Sequence, residues 1–103
     1  MEVYLKANIE KRMLKRELQS RQALYVAEGG IEWAKAHLQE NPGLRQGELA
    51  LDTGQAIIVI QSSSGGYQVI SEGHSGLAVR KIEETLQLDG ERWNITAYKE
   101  LHR

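Results

Sequence analysis

The chain has 103 residues, of which 41% are hydrophobic and 26% are charged, which is the usage of an ordinary folded domain. It contains no cysteine, and this excludes disulfides, thiolate catalysis and cysteine-based zinc sites. The net charge of −1 hides an asymmetry, because residues 1–21 carry six Lys or Arg against three Asp or Glu, a net charge of +3. No apolar run reaches the roughly 18 residues needed to span a bilayer, so the chain as written is expected to be soluble.

The first predicted element is one long helix over residues 2–39, where no proline interrupts a series of strong helix formers. In its second half, apolar residues recur at the three- and four-residue spacing of a packed helix face: Leu24, Ala27, Ile31, Ala34 and Leu38. The first half carries only a thinner apolar line: Ala7, Leu14 and Leu18. We therefore expect the second half to pack on a sheet and the first half to project.

Two local signals refine this helix. Gly29-Gly30 predicts either the close approach of another element or a bend, because glycine is costly inside a helix. Asn41-Pro42-Gly43 predicts the end of the helix.

The rest of the chain is predicted to form a connecting loop and an antiparallel sheet. Residues 41–54 are rich in glycine and polar side chains, with a short extended piece at Leu49–Leu51. Four strands follow in a meander, with Asp89-Gly90 as a hairpin signal between the last two: Gln55–Gln61, Tyr67–Glu72, Leu77–Leu88 and Glu91–Leu101. The prediction is a single α+β domain, 1–103, with a helix over 1–40, a loop over 41–54 and a four-stranded sheet over 55–103.

Apolar alternation predicts two finer features of the sheet. The apolar phase of Leu77–Leu88 changes midway, which predicts a β-bulge near Arg80-Lys81. On the last strand, alternation separates two sets of side chains onto opposite faces: Trp93, Ile95 and Ala97 against Asn94, Thr96 and Tyr98.

Motifs for chemistry are sparse. The three histidines, His37, His74 and His102, show no metal-ligand spacing, and no phosphate-binding glycine loop or nucleophile elbow occurs. We therefore predict no catalytic residues, no cofactor and no metal.

One segment supports an enzymatic alternative. Leu51-Asp52-Thr53-Gly54 resembles the active-site segment of retropepsin-like aspartic proteases, in which two aspartates from two subunits share a proton. Such subunits are nearly all β, and their supporting Gly-Arg element has no counterpart here. An ordinary turn before a strand is the simpler interpretation of Asp52-Thr53-Gly54.

The basic cluster on the first half of the helix supports a second alternative, a freestanding interaction module. Its positive side chains are suited to an acidic partner, a membrane surface or nucleic acid: Lys6, Lys11, Arg12, Lys15, Arg16 and Arg21. Glu2, Glu10 and Glu17 are interleaved with them, which favours a solvated helix face. Nucleic acid is thus the less favoured partner.

The segment Arg21–Leu38 resembles the region that follows the membrane anchor in PilX-like minor pilins and pseudopilins of type IV pilus-like systems. The matching residues are Ala23, Tyr25, Ala27, Glu28, Gly29, Gly30, Ile31 and Ala34. The strand segments Tyr67–Gly73, Ala78–Ile82 and Ala97–Glu100 are similar to the same group, so the likeness covers most of residues 21–101. Gly29 stands where these proteins often have alanine.

This resemblance implies a non-enzymatic structural subunit of a filament that serves adhesion, motility, DNA uptake or secretion. It implies an apolar anchor upstream of Glu2, location in the bacterial cytoplasmic membrane with this domain outside the cytoplasm, and later transfer into a surface filament. Its partners would be other pilin or pseudopilin subunits, contacted through the first half of the helix at Ala7, Leu14 and Leu18.

Overall fold

The protein is a long helix packed on a five-stranded antiparallel sheet. The structure, a computed structural model, describes the backbone of residues 2–101 and the side chains of residues 14–101. The helix α1 spans Glu2–Glu40, and the strands are β1 Gln46–Leu51, β2 Gly54–Ser63, β3 Gly66–Ser75, β4 Ala78–Asp89 and β5 Arg92–Leu101. The strands pair in chain order, β1-β2-β3-β4-β5. The predicted α+β class and the helix-on-sheet arrangement are confirmed.

The predicted number of strands is wrong, because the segment assigned to a connecting loop contains β1. Gln46–Leu51 pairs antiparallel with β2 over its whole length, from Gln46 opposite Val59 to Leu51 opposite Gly54. The segment has no β-branched residue, so its own strand preference is weak. Pairing with β2 and packing of Leu49 against the core compensate for this.

The hairpin turns are tighter than predicted, and β2 and β3 are correspondingly longer. Gly65, Gly76 and Gly90 have positive φ angles of 79°, 58° and 64°, which glycine adopts at little cost in two-residue turns. Ser62–Ser63 and Gly73–Ser75, predicted as loops, belong to β2 and β3.

The prediction of a bulge near Arg80-Lys81 is wrong, and a bulge that was not predicted lies in β5. Pairing between β3 and β4 is regular, whereas the register between β4 and β5 shifts between Thr85 and Leu86. Thr85 lies opposite Ala97 and Leu86 lies opposite Ile95, so Thr96 is the extra residue of β5.

The apparent change of phase in the third predicted strand has a simpler cause. Leu77 is a turn residue and is 97% exposed, and Val79 lies on the sheet face away from the helix. Ile82, Glu84 and Leu86 keep one regular alternation on the helix side.

The bulge also changes the predicted faces of β5. Residues directly opposite each other in antiparallel strands share a face. Trp93 and Ile95 therefore share the helix-side face with Leu88 and Leu86, as expected. Ala97 lies on the other face with Thr85, and Tyr98 replaces it on the helix side, opposite Glu84.

The core lies between the second half of α1 and the helix-side face of the sheet. Its helix residues include Ala27, Ile31, Ala34 and Leu38, all buried, and Leu24 packs against them partly buried. Val26 is a further buried helix residue that the sequence analysis did not single out. The sheet side of the core comes from β2, β3 and β4: Ala56, Ile58, Ile60, Val69, Ile82 and Leu86.

The two adjacent helix glycines have different surroundings. A Cβ at Gly29 would meet Leu49 and Leu51 at 3.5 and 3.6 Å, which is ordinary contact, whereas a Cβ at Gly30 would overlap the hydroxyl of Ser71. Gly30 therefore permits close helix–sheet approach within one continuous helix.

The different surroundings of Gly29 and Gly30 predict opposite effects of alanine on stability. We expect Gly29→Ala to raise the free energy of unfolding by up to about 1 kcal/mol, the helix propensity of alanine over glycine. Gly30→Ala is expected to lower it by about 1–3 kcal/mol, because the new methyl group overfills the helix–sheet contact. Urea denaturation of the two variants measures both values. Equal shifts in the same direction would contradict this account of Gly30.

Over the described residues, no helix combines the length and apolar character required to cross a bilayer.

Candidate subunit interface on the helix

The contact between α1 and the sheet ends near Ser20. Arg80 of β4 donates a hydrogen bond from Nη1 to the Ser20 hydroxyl at 2.7 Å and also pairs with Glu100 of β5. The hydrogen bond that Arg80 donates to the Glu100 carboxylate raises the pKa of Arg80. Two residues further along the helix, the amide oxygen of Gln22 lies 3.1 Å from the hydroxyl of Ser75. These polar contacts fix the place where the helix leaves the sheet.

The described side chains before this point are exposed over residues 14–18. Leu14 and Leu18 are 65% and 56% exposed. Ala7, also predicted to contact a neighbouring subunit, lies outside the described side chains. A helix of 39 residues is about 58 Å long. The molecule accordingly measures 63 × 23 × 21 Å, with the helix extending beyond the sheet.

The exposed apolar residues of α1 form a stripe that we call the outer stripe: Leu14, Leu18 and Tyr25. Their spacing of four and seven residues places them within about 40° of one another around the helix axis. Tyr25 is 68% exposed although it lies in the half that packs on the sheet, because it faces away from the core. From the sequence, Tyr25 was identified only as part of the family likeness. Its seven-residue spacing from Leu18 was a signal that could have predicted its place in the outer stripe.

The remaining residues of the family likeness have structural roles on α1. Ala23 and Ala27 are fully buried, and both lie against Gly73 of β3. Glu28 is exposed beside the sheet edge. Small side chains at positions 23, 27 and 30 thus allow the helix to lie close to the sheet.

A second feature lies where α1 faces β4 and β5. An open cleft of about 290 Å³ is lined by Glu28, Gly29, Ile31, Glu32, Glu84 and Tyr98. We call this the acidic cleft, because three of its six lining residues have carboxylate side chains.

Glu84 is the buried member of the acidic cleft, with 7% exposure. Among the described residues, none provides a hydrogen-bond partner for its buried Oε2 atom. Burial raises the pKa of Glu84; the positive charge of Lys35 opposes this, and the negative charges of Glu32 and Glu28 add to it. Burial also raises the pKa of Tyr98, with Glu28 as the next cause. The cleft therefore disfavours further negative charge.

The raised pKa of Glu84 predicts how stability depends on pH. Between its ordinary value of 4.5 and its raised folded value, the unfolded chain releases the proton that the folded chain retains. The contribution of Glu84 to stability is therefore complete below pH 4.5 and is lost as the pH rises through the folded pKa. We expect Glu84→Gln to melt at a higher temperature than the wild type at pH 7, with a difference that shrinks toward pH 4.

Thermal unfolding from pH 4 to pH 8 measures this effect. Glu91→Gln is the matched control, because Glu91 is exposed in the β4–β5 turn. A Glu84→Gln variant that is less stable than the wild type at pH 7, with the same pH slope, would show that the ionised carboxylate stabilises the fold.

The Asp-Thr-Gly segment forms an ordinary turn. Asp52 and Thr53 are the exposed turn residues between β1 and β2. The carbonyl of Thr53 accepts a hydrogen bond from the Ser75 hydroxyl at 2.6 Å. A Cβ at Gly54 would overlap the carbonyl of His74 on the neighbouring strand, so the glycine is explained by close strand packing.

The two described histidines lie on different elements, His37 on α1 and His74 on β3. His37 stacks on Trp33 of the same helix with ring centroids 4.1 Å apart, and His74 lies 2.7 Å from Glu72 on β3. His102 lies outside the described residues. Within the part of the chain that the structure describes, no group of three His, Asp or Glu is arranged to hold a metal ion.

The basic cluster is only partly within the described side chains. Lys15, Arg16 and Arg21 are exposed, which agrees with a solvated face. Lys6, Lys11 and Arg12 lie outside the described side chains.

Comparisons with protein-family models, with curated proteins and with solved structures give no match.

Proposed function

We propose that the chain is a non-enzymatic structural subunit of a type IV pilus-like filament, a minor pilin or pseudopilin. The observation that carries this proposal is the outer stripe on a helix that extends beyond its sheet. Leu14 and Leu18 are more than half exposed, and no element of the described fold covers them. Apolar residues along one side of a long helix are suited to packing against another helix.

The architecture supports a subunit role. The sheet anchors only the second half of α1, so the first half is free to pack among the helices of neighbouring subunits. In this proposal an apolar anchor precedes Glu2 in the native protein and holds the subunit in the cytoplasmic membrane before assembly, with the sheet outside the cytoplasm. The native open reading frame tests the anchor: fewer than about 15 apolar residues upstream of Glu2 would count against it.

The decisive experiment is a filament-assembly assay in cells with the full-length protein. We expect Leu14→Glu to abolish assembly, because a charge in the outer stripe prevents apolar contact between helices. Leu77→Glu is the matched control, since Leu77 is 97% exposed in the β3–β4 turn and is not part of the outer stripe. Normal filament assembly by the Leu14→Glu protein, at wild-type protein levels, would contradict the proposed function.

A further inference from the structure

The acidic cleft has three carboxylate side chains and one neighbouring cation, Lys35. Glu28 and Glu32 are exposed at its mouth, and Glu84 is buried at its base with an unpartnered oxygen. The nearby ammonium group of Lys35 is 2.9 Å from Glu32 and forms an ion pair with it. Glu28 forms no ion pair with another residue of the described part of the chain. The three carboxylates therefore leave net negative charge at the mouth of the cleft, which would attract a second cation.

The chain carries suitable cations on the other half of the same helix. Lys15 and Arg16 are exposed, and neither forms an ion pair with another residue of the described part of the chain. They cannot reach the cleft of their own molecule. The helix rises about 1.5 Å per residue, which separates these cations from Glu28 and Glu32 by roughly 18–26 Å along the axis.

We propose that the acidic cleft binds a lysine or arginine side chain from the first half of α1 of a second copy of this chain. This inference rests on the proposed function, because it takes the partner to be another subunit of the same kind. Two parallel helices shifted by about 18–26 Å would bring the basic half of one copy beside the cleft of the next. The exposed carboxylates of Glu28 and Glu32 would meet the guanidinium or ammonium group at the mouth of the cleft, and the buried Glu84 adds negative charge behind them.

The outer stripe supports the same partner. Glu32 follows Tyr25 by seven residues and Leu18 by fourteen, so it continues the outer stripe toward the C-terminal end of α1. A second helix packed along the outer stripe would therefore reach the mouth of the cleft. Apolar contact and charge pairing would then act within one interface.

Charge reversal in the full chain tests this inference. One variant, Glu28→Lys/Glu32→Lys, changes the cleft, and the other, Lys15→Glu/Arg16→Glu, changes the basic segment. All four residues are exposed, so both variants are expected to fold. The measurement is the shift of the Gly29 and Tyr98 amide signals of ¹⁵N-labelled wild type as unlabelled wild type is added at low salt.

We expect concentration-dependent shifts that disappear at high salt, because screening weakens exposed charge pairs. Each variant alone should associate at least about tenfold more weakly than the wild type. A mixture of the two variants should associate with wild-type strength, since each supplies the surface that the other has lost. As a matched control, Glu48→Lys/Arg92→Glu, which reverses exposed charges outside the cleft, should behave like the wild type.

The inference is overturned if the wild type gives no shifts, if the cleft variant associates normally, or if the mixture fails to restore association. Failure here is distinguishable from failure of the proposed function. Filaments that assemble with the reversed cleft but not with Leu14→Glu would refute the cleft contact and retain the subunit role. The opposite result is self-association that depends on the cleft in a protein that enters no filament. It would support the cleft contact and refute the proposed role as a filament subunit.

Discussion

Ile31→Asp is expected to leave the domain without a cooperative thermal transition. Ile31 is 2% exposed and belongs to the core between helix and sheet. The substitution removes a burial worth about 1.5–3 kcal/mol and introduces a carboxylate with no partner, which costs several kcal/mol more. Against a typical total stability of about 5–15 kcal/mol, the combined loss is sufficient to unfold a domain of this size. Circular dichroism during heating measures the transition.

Leu14→Glu is the matched control on the same helix. Because Leu14 is 65% exposed, its free energy of unfolding should change by no more than about 0.5 kcal/mol. If Leu14→Glu lowers the melting temperature as much as Ile31→Asp does, the first half of the helix belongs to the core and the projecting-helix model is wrong.

Gly73→Val is expected to separate the helix from the sheet. A Cβ at Gly73 would overlap the carbonyl oxygen of Ala23 and the backbone nitrogen of Ala27. A side chain can rotate away from a clash, but a helix backbone can only move as a unit. We expect a loss of about 3 kcal/mol or more in the free energy of unfolding, measured by urea denaturation.

Hydrogen exchange would locate the effect of Gly73→Val. Amides in the second half of α1 should lose protection before those of the β2–β3 hairpin, because the substitution acts on the helix–sheet contact. Gly43→Ala is the control, since a Cβ there meets only the side chain of Asn41 at 3.4 Å. Helix protection equal to that of the wild type would show that the sheet tolerates a side chain at residue 73.

The helix and the order of the strands could be predicted from the sequence because their signals are local. Asn41-Pro42-Gly43 marks the end of α1, and Asp89-Gly90 lies at the β4–β5 turn. The strand β1 could not be predicted in this way, because its formation depends on β2 and on the ring of Trp33, which lies over Gly47. Gly73 was misassigned for a similar reason. This strand residue must be glycine because the helix backbone at Ala23 and Ala27, some fifty residues earlier in the chain, lies against it.

The candidate sites were predicted unevenly. Exposure of Leu14 and Leu18 agrees with the prediction that the first half of the helix projects from the sheet. Glu84 was not predicted as a site residue, although a signal existed. It lies two residues from both Ile82 and Leu86, which places it on the buried face of β4. The cleft around it could not be predicted, because Glu28, Glu32 and Tyr98 are distant in the sequence and only the folded chain brings them near Glu84.

Charge along α1 is polarised, with lysines and arginines in the first half and the acidic cleft beside the second. A contact between these two surfaces joins unlike patches, so it is heterologous and has no two-fold axis. The copy at one end of the growing assembly then has an unoccupied acidic cleft, and the copy at the other end has an unoccupied basic segment. Unless the rotation between copies happens to close a ring, such an assembly is an open helical polymer with two chemically different ends. The direction of growth would then be encoded in the charge order of a single helix.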